Sequence, residues 1–367
     1  MAHAHFIMIG GFLGAGKTTL ISQLARRLQV DGKHVCIVTN DQAAGLVDTE
    51  LLKSQGFDVN EVAGSCFCCN FDGLTGAIAE FDGRQKPDVV LAEPVGSCTD
   101  LIATIAIPMQ ERLGTEFTHS PYAVVLKPSH GMRILTGQGC GGFYPKAEYI
   151  FLKQLEESEL IIINRIDELP AEQIAVLRES IEQRFPGRRI VLASAKTGQN
   201  LDEVYEALLQ TAPQRDTTMQ VDYDVYADGE AELGWLNARA RLTSQGLAIE
   251  LDRVVVELVE GLKSRFAAID AEPAHLKVLA TDGQHASVAN LISSDSSTML
   301  SVSSESADRE VTLTINARVR VDPQDLEQAV RGSLQAIAES LQSELTLLDL
   351  QSFRPGRPEP THRVERG

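Results

Sequence analysis

The stretch Gly11-Phe12-Leu13-Gly14-Ala15-Gly16-Lys17-Thr18 matches G-x-x-x-x-G-K-[ST], a pattern that works only between a buried strand and a helix start. The flanks supply both. Phe6-Ile7-Met8-Ile9 is a short apolar run, and Leu20, Ile21, Leu24 and Leu28 then recur at helical spacing until Gly32. The glycines let backbone N–H groups turn inward on phosphate oxygens, and the helix N-terminus adds its partial positive charge. Gly11, Gly14, Ala15, Gly16, Lys17, Thr18 and Thr19 are therefore expected to cradle a nucleoside triphosphate. Lys17 would reach its β- and γ-phosphates, and the Thr18 hydroxyl would bind Mg²⁺.

Beyond this loop the first two hundred residues alternate apolar runs with helical patterns. Strands are expected at 6–9, 34–39, 89–93, 122–126, 160–164 and 190–194. That alternation predicts an α/β fold with a doubly wound, mostly parallel P-loop NTPase sheet, whose ligands sit at the carboxyl ends of the strands. Periodicity fails around Thr211–Asp222, where Pro213 lies, so a nucleotide-binding domain is expected over 1–215. A smaller domain is expected over 222–352, reading β-α-β-β-(β)-α-β, the order of a ferredoxin-like α+β domain. Its helices fall at 250–269 and, from Pro323, to about Leu341. The serine-rich segment Ser293–Ser306 reads as a flexible hairpin connection or slack linker. The Pro- and Arg-rich tail, 353–367, reads as disordered or laid over a surface.

Three further constellations carry chemistry. Val89-Val90-Leu91-Ala92-Glu93 ends a buried strand on an acid with Gly96 close behind, the place for a Mg²⁺-side carboxylate and a mobile switch. Asp41, ending the second strand, is a further candidate for Mg²⁺ or for positioning water. Asn164-Arg165-Ile166-Asp167 follows a strand; the Asp167 carboxylate can accept from guanine N1–H and N2–H₂, which adenine does not offer. Asn164 would brace that loop, and Arg165 would cover the base plane by stacking. Ser194, Ala195 and Lys196 fit a loop closing over guanine, so GTP is favoured over ATP.

The third constellation is Cys66-Phe67-Cys68-Cys69. C-x-C-C offers three soft ligands, suited to Zn²⁺, Co²⁺ or Cu(I), with Zn²⁺ the leading expectation and Ni²⁺ a further candidate. Three ligands leave an open position, as an exchangeable site requires. Cys98, or Cys140 within Gly137–Gly142, are candidates to complete it, though each also reads as a small packed residue, and Cys36 reads as core.

The formal net charge of −18 argues against a nucleic-acid partner, which needs clustered Lys and Arg. No apolar run approaches the ~20 residues that span a membrane. The first strand begins within about five residues, leaving no room for a signal peptide, and clustered thiols suit a reduced compartment, so a cytoplasmic location is expected.

With these residues assembled, the chain resembles the metal-centre GTPase family that includes CobW, UreG, HypB and MeaB, and most of all its CobW-like branch. Residues 10–20 match that branch's phosphate loop almost letter for letter. Asn40-Asp41 and Asp48 resemble its first switch, Cys66–Cys69 its cysteine motif, Glu93 and Gly96 its second switch, and Asn164–Asp167 its base-recognition motif. Pro94 stands where the branch has Thr or Ser, and a histidine-rich stretch common among relatives is missing. The resemblance implies a slow GTPase, cycling between GTP and GDP, that carries a transition metal at the cysteines to a client metalloenzyme, with homodimerisation across the nucleotide face. A second reading, like MeaB, has the GTPase cycle gate cofactor loading, for instance of a corrinoid-dependent client, with no metal carried by the chain itself. A small-molecule kinase is the weakest of the three readings.

Overall fold

The computed structural model describes residues 4–137 and 145–367; Cys140 lies outside them. The chain divides into two compact units. One comprises 1–42, 57–229 and 357–367, the other 43–56 and 230–356.

In the first unit the apolar runs become strands of one sheet: β1 (Ala4–Gly10), β2 (Val35–Asn40), β3 (Asp58–Val62), β4 (Val89–Glu93), β5 (Phe117–His119), β6 (Ala123–Leu126), β7 (Leu160–Ile163) and β8 (Arg189–Leu192). Their order is β3-β2-β4-β1-β6-β7-β8, with β5 beside the start of β1, and every described pairing is parallel. Runs such as Leu160-Ile161-Ile162-Ile163 are buried throughout, as a parallel sheet covered on both faces requires. Strands β3 and β5 were not read from the sequence. β3 buries only Val59 and Val62 in a polar five-residue stretch, and β5 is three residues long, so neither makes an apolar run. The unit's helices are α1 (Lys17–Val30), α3 (Phe71–Asp82), α4 (Ile107–Leu113), α5 (Pro128–Thr136), α6 (Pro145–Glu157), α7 (Ala171–Arg184) and α8 (Leu201–Leu208). α2 (Val47–Ser54) lies in the second unit, and α9 (Tyr223–Ala231) ends at its boundary.

The second unit carries β9 (Gly234–Ser244), β10 (Ile249–Glu250), β11 (Glu272–Thr281), β12 (Ala286–Leu291), β13 (Met299–Val302), β14 (Ala307–Asp308), β15 (Glu310–Arg320) and β16 (Ser343–Phe353), with α10 (Leu251–Ala268) and α11 (Pro323–Ser340). Its antiparallel sheet runs β13-β12-β11-β15-β9-β16, the ferredoxin-like order extended at one edge by the β12–β13 hairpin. Leu251, Val254, Val255, Leu258, Val259 and Leu262 of α10 pack on the sheet with Leu326, Val330 and Leu334 of α11.

One expectation is corrected here. Ser293–Ser306 contains β13 and is tied down rather than slack. Asp252 accepts from Ser287 Oγ and from Ser304 N (3.1 Å), and Asp282 accepts from Ser306 Oγ at 2.9 Å. Asp48, matched by resemblance to a first switch, pairs with Lys277 of β11. The segment that carries it packs on the ferredoxin-like sheet: Asn316 Oδ1 accepts from Val47 N (2.6 Å), Asn237 Nδ2 donates to Ala43 O (3.2 Å), and Val47 joins Leu279 and Val288 in an apolar cluster.

Glu157, at the end of α6, is buried and accepts from Thr99 Oγ1 (3.0 Å) and Ile102 N (3.1 Å). Burial, and then the neighbouring Asp100 charge, raise its carboxyl to about 8 from 4.5. The folded chain therefore keeps a proton that the unfolded chain releases, and stability falls as pH rises from 4.5 towards 8, by at most about 1.4 kcal/mol per unit. Glu157→Gln removes the charge; its oxygen can still accept from Ile102 N while its amide nitrogen donates to the Thr99 hydroxyl. Melting temperatures measured from pH 5 to 8 should show the variant gaining on the wild type as pH rises; parallel curves would refute this.

Candidate functional site

The carboxyl ends of β1, β2, β4 and β7 release the phosphate loop, Asn40-Asp41, Glu93 and Asn164 along one edge of the sheet. The loop turns through glycines at positive φ, and at Gly16 (φ 91°) an added Cβ would lie 2.6 Å from Asn164 Nδ2. Glycine is needed there on both counts. Asn164 Nδ2 donates to Ala15 O (2.9 Å) while its Oδ1 accepts from Ala195 N (2.9 Å). Arg165 donates to Gly14 O (3.0 Å) and is paired with Glu168. Asp167 Oδ1 accepts from Ser194 Oγ at 2.6 Å. The 164–167 and 194–196 loops are thus brought together against the phosphate loop.

On the phosphate side, Thr18 Oγ1 donates to Glu93 Oε1 (3.1 Å), and Lys17 Nζ donates to Gly11 O (3.0 Å) and lies 4.0 Å from the same Glu93 oxygen. A hydroxyl beside a carboxylate is a donor set suited to a hard cation such as Mg²⁺. Asp41, 2% exposed, turns its carboxylate onto Gln42 N at 2.7 Å. Lys127, directly after β6, was not singled out from the sequence. It is buried, and desolvation with the nearby Arg165 charge lowers its ammonium to about 8. A lysine closing the run Ala123-Val124-Val125-Leu126 was the available signal.

The cysteine motif is a tight triad. Cys66 Sγ lies 3.0 Å from Cys68 Sγ and 3.2 Å from Cys69 Sγ, with Cys66 and Cys68 buried and Cys69 half-buried. Hydrogen bonds from Cys68 and Cys69 hold the Cys66 thiol well below its ordinary range, while the same bonding raises Cys68 well above it and Cys69 to about 12. Three thiol-bearing side chains gathered this closely offer a metal ion a set of soft ligands, whose protons binding would displace. Cys36, as expected, is fully buried; His34 and Asp58 lie beside it, with Asp58 paired to Arg84 at 2.9 Å.

Two features of the triad were not legible in sequence. The first is its support by Asn40, whose Nδ2 donates to Val62 O and Ser65 O, both 2.8 Å, and whose Oδ1 accepts from Phe67 N at 2.7 Å. The residue beside Asp41 thus shapes the cysteine loop. The second is the tail, which lies over that loop. Thr361 N donates to Cys68 O (2.8 Å), Thr361 Oγ1 to Cys69 O (2.9 Å) and Glu359 N to Cys69 Sγ (3.3 Å), and the His362 ring meets Phe71 edge-on. Arg363 anchors the segment on the buried Asp100 at 2.7 Å, and Arg366 pairs with Glu111 at 2.6 Å. Its order comes from these partners.

Fold and site define a P-loop nucleotide-binding domain with a thiol cluster. The nucleotide-binding-domain profile of CobW/HypB/UreG matches residues 5–192, and the chain belongs to that family, whose members are P-loop GTPases. It is 25% identical over 217 residues to Zinc chaperone CobW of a Sinorhizobium species, covering 52% of this chain and 59% of that protein. With Zinc chaperone CobW of Pseudomonas aeruginosa it shares 26% identity over 219 residues, 51% of this chain and 56% of that one. The match thus spans less than two-thirds of those relatives. The solved structure of HypB from Helicobacter pylori in complex with nickel superposes with a TM-score of 0.42 at 17% identity, covering 57% of this chain and 86% of that one. Among the described residues no helix is long and apolar enough to cross a membrane.

Asn40→Ala should cost about 1–3 kcal/mol in urea unfolding, since it strands Phe67 N and Ser65 O, while Val62 O keeps Asp41 N; an unchanged midpoint would refute its supporting role. Truncation after Gly356 should speed alkylation of Cys69, read by mass spectrometry; an unchanged rate would show that the tail does not shield it.

Proposed function

We propose that the chain is a GTP-hydrolysing metallochaperone in which nucleotide state sets transition-metal affinity at Cys66, Cys68 and Cys69. The observation that carries this reading is Asn40. It ends β2 beside Asp41, bonds Val62 O at the end of β3 and holds the cysteine loop at Ser65 O and Phe67 N, so a shift at Asp41 reaches the thiols through two bonded neighbours. Zinc is the favoured cargo, on the thiol set and on the names of the curated relatives.

The residues take these roles. Lys17 and the backbone of Gly11, Gly14, Ala15 and Gly16 hold the triphosphate, with Thr19 beside them at the start of α1. Asp167 selects guanine, Asn164 braces its loop, Arg165 covers the base, and Ser194, Ala195 and Lys196 close the pocket. Thr18 and Glu93 would hold Mg²⁺, whose charge would offset that developing on the phosphates. Asp41 positions water. Thr18 and Lys17 exchange their contacts with Glu93 and Gly11 for the nucleotide, which frees the segment after Glu93 to move. A coupling of about 1–3 kcal/mol, roughly 5–150-fold in affinity, is sufficient for capture in one state and release to a client metalloenzyme in the other.

The test is a competition titration of the reduced chain with Zn²⁺, Co²⁺ and Ni²⁺, run without nucleotide, with GDP and with a GTP analogue plus Mg²⁺. One equivalent should bind, with affinity moving several-fold between states and lost in Cys68→Ser. Binding that ignores nucleotide, or no binding, would refute the reading. Asp167→Ala should weaken GTP and leave ATP binding as it was; equal loss of both would remove Asp167 from base selection.

A further inference from the structure

At the far end of β2 from the cysteine loop stands a second group of metal-ligating side chains. His34 precedes the strand, Cys36 is its second residue, and Asp58 opens β3 opposite Cys36 in the parallel register. His34 Nε2 and Asp58 Oδ2 each lie 3.9 Å from Cys36 Sγ, and one ligand atom from each residue falls within 4.8 Å of the other two. Cys36 and Asn40, which holds the cysteine loop, are parted by most of β2, about 13 Å of strand.

Neighbouring groups aim these atoms. His34 Nδ1 lies 3.2 Å from Lys86 O, which can only accept, so in the neutral ring Nδ1 carries the proton and Nε2 keeps its lone pair toward the sulfur. A metal-binding histidine is held in this way, with its second ring nitrogen tied to a carbonyl. Asp58 accepts from Arg84 Nη1 with Oδ1 (2.9 Å) and leaves Oδ2 on the Cys36 side. The His34 backbone is fixed as well, donating to Asp88 Oδ2 (2.8 Å) and accepting from Asp88 N (2.9 Å). Cys36 is buried, and the group meets solvent through the half-buried imidazole and carboxylate.

The chemistry of the set favours a cation. One thiol proton lies between two acceptors, and a thiolate with a carboxylate neutralises a dication. In tetrahedral zinc coordination, with bonds of about 2.3 Å to sulfur and about 2.1 Å to nitrogen or oxygen, sulfur sits about 3.6 Å from those ligands. The 3.9 Å separations here are a few tenths of an ångström from that. Nitrogen, sulfur and oxygen donors together suit Zn²⁺ rather than Mg²⁺ or Ca²⁺, whose ligands are oxygens.

We propose that His34, Cys36 and Asp58 form a second metal site, taking Zn²⁺ or an ion of its class with water in the fourth position. The ion pins the amino ends of β2 and β3 to each other and, through Lys86 and Asp88, to the entry of β4. It needs neither nucleotide nor the cysteine loop. With one sulfur against three, it fills after the cysteine triad.

The experiment is a direct titration of the reduced full-length chain with Co²⁺, followed by ligand-field and sulfur-to-cobalt charge-transfer absorption. Wild type is compared with Cys68→Ser, His34→Gln and Asp58→Asn, with the melting temperature in the absence of metal as the check on folding. Wild type should take up a second, weaker equivalent that adds a tetrahedral ligand-field band and one thiolate's charge transfer. Cys68→Ser should keep it. His34→Gln and Asp58→Asn should weaken it by at least the roughly 10-fold that even outer-shell changes cost, leaving the first equivalent as it was. Zinc-edge X-ray absorption of Cys68→Ser at one equivalent should find a single sulfur among nitrogen and oxygen neighbours. A second equivalent indifferent to His34→Gln and Asp58→Asn, or two sulfurs around that zinc, would overturn the site. If wild type takes only one equivalent, its loss in Cys68→Ser overturns this site and leaves the triad, while its loss in His34→Gln does the reverse. A chain that binds no cobalt would overturn both.

Discussion

The whole site depends on the parallel pairing of β1 with β4 on one side and β6 on the other. A parallel ladder fixes the stagger of neighbouring strands, so their carboxyl ends come out along one edge, where the backbone groups of the exiting loops have no ladder partners. Polar side chains and glycines at that edge satisfy one another or wait for a ligand. Gly10, Asn40, Glu93 and Ile163 are the last residues of their strands, and each hands the chain to a loop of the site. Burying the strands on both faces stabilises the sheet; the edge collects the chemistry.

Within that frame, nucleotide loop and thiol cluster are joined by buried amides rather than by charges. Asn40 grips the cysteine loop, Asn164 grips the phosphate loop and the Ala195 turn, and Gln154 grips the turn leading to Cys98. Asn40 and Asn164 donate and accept at once, so each ties together two backbone segments, while Gln154 donates to both ends of one turn. Such bonds have definite geometry, and a change on one side is felt on the other.

How much could be read in advance varied with how local the signal was. The phosphate loop carries its own strand, turn and helix start in one contiguous string, and the long amphipathic pattern of α10 announces a helix unaided. Strands β3 and β5 were invisible because their pairing partners, not their composition, make them strands. The serine-rich stretch looked slack because the carboxylates that order it, Asp252 and Asp282, stand far off in sequence. Arginines in the tail gave no hint of Asp100 or Glu111, since ion pairs between distant residues leave no periodicity to read.

By itself, then, the sequence determined the class of sheet, the phosphate loop, the Asn164–Asp167 string after its strand and three clustered thiols, because each is encoded by neighbours along the chain. Tertiary structure alone decided that Asn40 shapes the cysteine loop, that the segment carrying Asp48 packs on the ferredoxin-like sheet, and that the tail covers Cys69. Those are contacts between residues about 25 to 290 positions apart. Only the closing of the sheet, which brings strand ends together whatever their separation in sequence, can specify them.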